Sequence, residues 1–299
     1  MKRWMKWTAG LVGLAVVLVA GVAVVGSQMA DSKSQRQIKV SVQPVAIPTA
    51  AQALERGAYL YSSRGCADCH GAAGGGREFV NDGKMRLAGP NITPGEGNVV
   101  ARYTPEDWVR TVRHGVKPDG RPVFIMPSED YNRFTDDDLG ALVAYVKSLP
   151  PKIGGAAVMD LPLPVRVLYA FDAIKDAAQK IDHTLPPAKP IAEGVTAAHG
   201  AYVANMCIGC HGATLAGGKI PGGPPNWAPA ANLTPGEGSI MPRYKDAEAF
   251  VAMLRSGKRP DGSVITVMPF ESLRALNDVD AQALYAYLKT VPAKPFGQR

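Results

Sequence analysis

The run Cys66-Ala67-Asp68-Cys69-His70 occurs twice in this chain, the second time as Cys207-Ile208-Gly209-Cys210-His211. C-x-x-C-H is the attachment signature of a c-type haem. Two thiols three residues apart, near a helix start, reach the two vinyl sides of one porphyrin. The next residue then presents an imidazole to the iron. The two copies use all four cysteines and two of the five histidines. They predict two covalently bound haem c groups, attached through Cys66 and Cys69 and through Cys207 and Cys210. His70 and His211 are the expected iron ligands.

Other chemistry fits less well. A structural zinc site needs four tetrahedral ligands, and each copy offers three, with Cys and His adjacent. A thioredoxin-like pair sits near a βαβ pattern, which neither copy has. A purely structural disulfide leaves the duplicated histidine without a purpose.

The repeat extends beyond the motif, as a search for internal periods reveals. Asn91-Ile92-Thr93-Pro94-Gly95-Glu96-Gly97 recurs as Asn232-Leu233-Thr234-Pro235-Gly236-Glu237-Gly238, and Arg102-Tyr103 as Arg243-Tyr244. Pro118-Asp119-Gly120 recurs as Pro260-Asp261-Gly262, and Met126-Pro127 as Met268-Pro269. Two copies at this long period are duplicated domains. Each reads as mostly helical with long loops. A first helix covers Gln52 to Ser63, with a partner from Thr196 to Met206. A middle helix starts at Thr104, with Pro105 first and Asp107 closing the cap, and ends at Gly115. A last helix starts at Thr135, with Asn277 as the corresponding cap in the second copy.

A haem iron held by one histidine needs a second axial ligand. A thioether raises the potential and suits electron transfer. Of ten methionines, Met126, Met241 and Met268 are followed by proline, and only Met126 and Met268 occupy equivalent places in the two copies. They are the expected opposite ligands. Met85, Met206 and Met241 have no counterpart and are read as packing residues.

Charge separates the N-terminus from the rest. The formal net charge is +7, which would suit a nucleic-acid binder if it formed one face. Residues 1–50 alone carry +5, residues 51–150 carry −1, residues 151–195 balance, and residues 196–299 carry +3. No nucleic-acid partner is expected. Met1 to Trp7 holds Lys2, Arg3 and Lys6, and an apolar run follows from Leu11 to Val25. Extended by small residues from Thr8 to Ser27, it reaches about 30 Å as a helix, one hydrocarbon thickness. Trp4 and Trp7 sit where interfacial aromatics belong. A cleavage site after Ala30 would have Gln28 at its −3 position, which fits poorly, so an uncleaved anchor is expected. The basic start places residues 1–7 in the cytoplasm, although Lys33, Arg36 and Lys39 follow on the other side; c-type haem is attached outside the cytoplasm, which places the haem domains in the periplasm. The expected layout is an anchor over 1–30, a semi-extended tether over 31–50, a first domain over 51–150, a linker over 151–195 and a second domain over 196–299. The linker carries helical periodicity from Val165 to Ile181, expected to pack between the domains, with the membrane surface or a partner protein as the other surfaces it could lie on.

Cys-x-x-Cys-His, the following Gly89-Pro90-Asn91-Ile92, Met-Pro and a terminal helix together resemble class I cytochrome c, over residues 52–150 and 196–293. The fold class implied is mainly α, with two tandem class I cytochrome c-like domains after an N-terminal transmembrane helix. The resemblance also implies that the Pro90 carbonyl holds the axial histidine by its other ring nitrogen, a role that orients the ligand. Ala231 stands at that place in the second copy. Arg102, Tyr103, Arg243 and Tyr244 match the positions where the family binds haem propionates.

A narrower resemblance is to cytochrome c subunits of membrane-bound bacterial alcohol, gluconate and sugar dehydrogenases. Asn-Ile-Thr-Pro, Met-Pro, Ser148-Leu149-Pro150-Pro151 and Leu161-Pro162-Leu163-Pro164-Val165-Arg166 carry it. Such subunits usually hold three haems, and this chain has two motifs. The expected function is a membrane-anchored, periplasmic dihaem electron carrier of a respiratory chain. Its partners would be a dehydrogenase subunit as donor and a terminal oxidase or soluble cytochrome as acceptor. The alternative is a dihaem oxidoreductase, peroxidase-like or thiosulfate-oxidising, which needs an open iron position.

Overall fold

A computed structural model describes residues 3–224 and 226–299, with the side chains of residues 3, 5 and 6 outside the description. Lys2 and the side chains of Arg3 and Lys6, used above to orient the anchor, lie outside the described residues.

The chain begins with one long helix, α1 (Arg3–Ser34). Its stretch from Trp7 is long and apolar enough to cross a membrane, and almost none of that apolar surface is covered by protein. The first copy then supplies α2 (Ala51–Ser63), α3 (Cys66–His70), α4 (Pro105–His114), α5 (Ser128–Tyr131) and α6 (Asp136–Ser148). A linker helix α7 (Leu163–Ala170) leads to the second copy: α8 (Ala197–Val203), a 3-10 turn Ala204–Cys207, α9 (Ile208–His211), α10 (Ala247–Ser256), α11 (Phe270–Leu273) and α12 (Asp278–Leu288). The molecule is mainly helical. The caps explain where the helices start. Thr104 and Asp107 form a reciprocal capping box on α4, and Gly115 ends it in the left-handed region. The Thr135 and Asn277 side chains accept from the N–H groups of Asp138 and Asp280.

Each copy is built on one helix crossing. α2 packs on α6, and α8 packs on α12. The contact is so close that a methyl group on Gly57 would lie 2.1 Å from the Ala141 carbonyl oxygen. On Gly200 it would lie 1.9 Å from that of Ala283. Tyr145 and Tyr287 flank the two contacts. The matching Gly-Ala-Tyr at residues 57–59 and 200–202 was legible in the sequence as a further repeat. Gly57→Ala or Gly200→Ala is expected to destabilise the chain by about 1–3 kcal/mol through overpacking. A lowered unfolding midpoint in denaturant checks this, and an unchanged midpoint contradicts it.

Three features depart from the sequence reading. A three-stranded antiparallel sheet joins β1 (Arg77–Asn81) and β2 (Arg86–Gly89) of the first copy to β3 (Val158–Asp160) of the linker, in that order. Its hairpin turns at Asp82-Gly83, where Asp82 accepts from the N–H groups of Lys84 and Met85 and Gly83 has φ 78°. The second copy has Gly222-Gly223-Pro224-Pro225 there, and proline cannot donate to a ladder.

The second is the segment expected as a semi-extended tether over 31–50, which runs along the first copy as a strap. α1 continues to Ser34. Beyond it, the Ile38 N–H donates to the Gly120 carbonyl, Val45 is buried, and Val42 and Ile47 pack on the first core.

Third, α7 does not pack between the domains. It packs on α1, and the expected longer helix breaks at Asp172, whose φ is 62°. Lys33 draws the end of α7 to α1, donating to the Tyr169 carbonyl and the Asp172 carboxylate. Arg36 holds Asp176 with two hydrogen bonds, beyond the break.

Candidate functional site

Both attachment turns are held by the same backbone bonds. The N–H groups of Gly71 and Gly212 close one helical turn on Ala67 and Ile208. Gly76 and Gly217 donate to the carbonyls of His70 and His211 at 2.9 and 2.8 Å. The Tyr61 hydroxyl adds a bond to the Gly71 carbonyl in the first copy.

The two imidazoles are fixed in the same way. His70 Nδ1 lies 2.9 Å from the Pro90 carbonyl oxygen, and His211 Nδ1 lies 2.8 Å from that of Ala231. A carbonyl oxygen can only accept, so Nδ1 must carry the proton. Nε2 is then the nitrogen with a free lone pair, as iron ligation requires. The contact uses backbone, so proline and alanine serve equally. Burial holds both imidazoles below the ordinary histidine range, against the opposing pull of the carbonyls. Both are therefore neutral at pH 7.

The four cysteines form no disulfide with one another. Burial pushes Cys66 and Cys207 up to about 12 and Cys69 up to about 11, and it raises Cys210 as well. Among the described residues, no three His, Cys, Asp or Glu side chains converge on one metal position. The donor set fits a covalently attached porphyrin: paired thiols beside one oriented, neutral imidazole.

Met126 and Met268 stand in matching places. Each is followed by proline and a short helix, with the N–H two residues on (Ser128, Phe270) bonded to the methionine carbonyl. Met126 and Cys66 border the first hydrophobic core, and Met268 and Cys207 border the second. In each copy the thioether and the attachment motif thus lie along the same core.

The four propionate candidates divide. Tyr103 packs edge-on against Trp108, at 5.2 Å between ring centroids. Arg102 is exposed beside it, and both line a surface cavity of about 470 Å³ with Pro94 and Lys147. Arg243 is committed to Asp261 at 2.9 Å. Tyr244 is buried edge-on against Phe250. The matched pairs therefore occupy different environments.

Sequence reasoning missed how the copies meet. The Tyr59 hydroxyl donates to Asp280 at 2.6 Å, and the Tyr202 hydroxyl donates to Asp138 at 2.6 Å. The Asn277 N–H donates to Tyr59, and the Thr135 N–H donates to Tyr202. Tyr59 corresponds to Tyr202, and Asp138 to Asp280, so the contacts are reciprocal about an approximate two-fold axis. The attachment motifs join in. The Gly209 N–H donates to Asp130 at 2.8 Å, and the Ser272 hydroxyl donates to Asp68. Each C-x-x-C-H turn therefore touches the helix that follows the other copy's Met-Pro.

One half of this network holds a buried charge pair. Asp280 is fully buried and accepts from Arg64 and from His199 Nε2, each at 2.6 Å. Burial alone would raise the Asp280 pKa. The charge of Arg64 and the bonds from Arg64, Tyr59 and His199 outweigh it, and the carboxyl lies below its ordinary range.

Comparison with known proteins gives the family of the two copies. The family model described as "Cytochrome C oxidase, cbb3-type, subunit III" matches residues 52–146 and again 194–288. The fructose dehydrogenase cytochrome subunit of Gluconobacter japonicus is 29% identical over 290 residues, covering 85% of this chain and 56% of its own length. The gluconate 2-dehydrogenase cytochrome c subunit of Pantoea cypripedii is 28% identical over 284 residues, with coverages of 82% and 61%. The chain spans little more than half the length of these relatives. A "Diheme cytochrome c-type" protein of Cereibacter sphaeroides is 28% identical over 309 residues, covering 94% of this chain and 97% of its own.

Proposed function

Because this chain belongs to the family described as cytochrome c oxidase, cbb3-type, subunit III, and carries its domain twice, we propose that it relays electrons for a membrane-bound dehydrogenase. It is an electron-transfer cytochrome with two haem c groups. Its relatives are cytochrome subunits and a dihaem cytochrome, and it is an electron carrier rather than an enzyme. The class I arrangement, the ligand assignments, the domain limits (51–150 and 196–299) and the membrane setting belong to the proposal.

In this reading His70 and Met126 hold one iron, and His211 and Met268 hold the other. Bound haem supplies a one-electron ferric–ferrous couple. The protein attaches it by Cys66 and Cys69 or by Cys207 and Cys210. The Pro90 and Ala231 carbonyls fix each imidazole, which limits reorganisation at the iron. Tyr59, Asp280, Tyr202 and Asp138 keep the two centres at one separation. α1 tethers the chain to the inner membrane with both haem domains in the periplasm, where c-type haem is attached. The observation that carries this reading is the duplicated Nδ1–carbonyl bond, which leaves Nε2 available in both copies.

Two results test it. Full chain extracted in mild detergent should copurify with a dehydrogenase catalytic subunit, and that enzyme's substrate should reduce both haems. Copurification with an oxidase alone, and no reduction by any dehydrogenase substrate, contradicts the donor assignment. With both iron faces closed, carbon monoxide should leave the reduced spectrum unchanged at neutral pH. A shifted spectrum means an open position and contradicts the Met126 or Met268 assignment.

A further inference from the structure

Helix α7 has two apolar faces, and only one is packed against protein. On the packed face, Val167 lies against Gly26, where an added methyl would sit 3.0 Å from Val167 Cγ2. Tyr169 and Ala170 are buried with Ala30 in a small cluster that Phe124 and Ile174 border. The outer face carries Pro164, Leu168 and Phe171 at helical spacing. Leu168 is 46% exposed and Phe171 56%, with Leu163 beside them at 45%. Scattered exposed apolar residues are ordinary, but these form one stripe.

Its position along α1 says what covers it. The apolar run of α1 ends at Val25. Contacts with α7 lie just beyond it: Gly26 meets Val167, and Arg166 donates to the Ser27 carbonyl and the Asp31 carboxylate. If the run from Thr8 to Ser27 fills about 30 Å of hydrocarbon, α7 lies at the boundary with the headgroups. The charges around it are already paired within the protein, Lys33 with Asp172, Arg36 with Asp176 and Arg166 with Asp31.

We propose that the outer face of α7 is seated in the lipid–water interface of the membrane that α1 crosses, as an interfacial helix. This rests on the reading of α1 as a membrane anchor. The occupant of the stripe is the bilayer, held by apolar contact rather than by lipid charge. One consequence concerns the first centre. Phe124, two residues before Met126, packs edge-on against Tyr169 at 4.8 Å, and the Ala177 N–H donates to the Val123 carbonyl. The Met126 loop is thereby held towards the membrane, and the first domain has one fixed attitude above it.

The test is hydrophobic photolabelling of the full holoprotein in phosphatidylethanolamine–phosphatidylglycerol vesicles, using a lipid-partitioned aryl diazirine. Labelled residues are located by mass spectrometry. Label is expected on residues 11–25 and on residues 163–171. It should be absent from Ile153 and Val264, which are exposed apolar residues elsewhere. The double variant Leu168→Glu, Phe171→Glu should lose α7 labelling to the level of Ile153 while α1 stays labelled. Label on α1 with none on α7 overturns the proposal and leaves the anchor intact. An unlabelled α1 overturns the anchor reading, and the proposal with it. Unchanged α7 labelling in the double variant, or equal labelling of Ile153 and Val264, also overturns the proposal.

Discussion

Asp280→Ala is expected to destabilise the folded chain by about 3–5 kcal/mol, the range for removing one partner of a buried ion pair. The Arg64 and Asp280 side chains are 2% and 0% exposed. Removing the carboxylate leaves the Arg64 guanidinium without its counter-charge and the Tyr59 hydroxyl and His199 ring without their acceptor. Arg64 and His199 are buried and cannot turn to water without opening the contact between domains. Asp138→Ala should cost less, although Asp138 is its counterpart in the approximate two-fold. Its partner Arg56 is 26% exposed and can be solvated where it stands. Scanning calorimetry of the holoprotein distinguishes these cases. Wild type should unfold with its domains coupled, and Asp280→Ala should separate the transitions. Equal losses from the two substitutions contradict the buried-charge account.

The same network has a pH dependence of definite sign. Asp280 and Asp138 are both held below the ordinary carboxyl value of 3.8. A depressed folded pKa contributes stability that is fully present above the unfolded value. That stability is lost as pH falls through the lower folded value. The domain contact should therefore hold through the neutral range and weaken only below about pH 4.

Met126→Ala should abolish the absorption band of methionine bound to ferric iron in the first haem and leave that of the second. Met268→Ala should do the converse. Each variant should also lower the potential of its own haem by a substantial part of the roughly 0.8 V that axial ligation spans, because a thioether favours the ferrous state. The unsubstituted domain serves as an internal control within the same molecule. Both methionines lie at the edge of their cores rather than inside them, so the packing loss is small and the spectral change reports ligation. A retained band in both variants removes these residues from the iron.

The site was legible because its chemistry is local in sequence. Cys66 to His70 and Cys207 to His211 lie within single turns, and Thr104, Asp107, Thr135 and Asn277 act on residues three positions away. The Asp82-Gly83 turn also had a local signature, set against the paired prolines of the second copy. The contact between domains has none. Asp280 meets Tyr59 and Arg64 from more than two hundred residues away. Nothing in a run of carboxylates at a helix start marks one of them as shared, since the same aspartates serve the helix end. α7 was misplaced for a related reason. Its periodicity predicts an apolar face, but the partner of that face is chosen by Lys33 and Arg36, over 130 residues upstream.

The central claim is that both halves of this chain carry a covalently attached redox centre. Mass spectrometry of the denatured, protease-digested holoprotein tests it most directly. The account predicts haem on the peptide containing Cys66 and Cys69 and on the peptide containing Cys207 and Cys210, in equal amounts. Haem on only one of them, or unmodified or disulfide-linked cysteines at either motif, would contradict it.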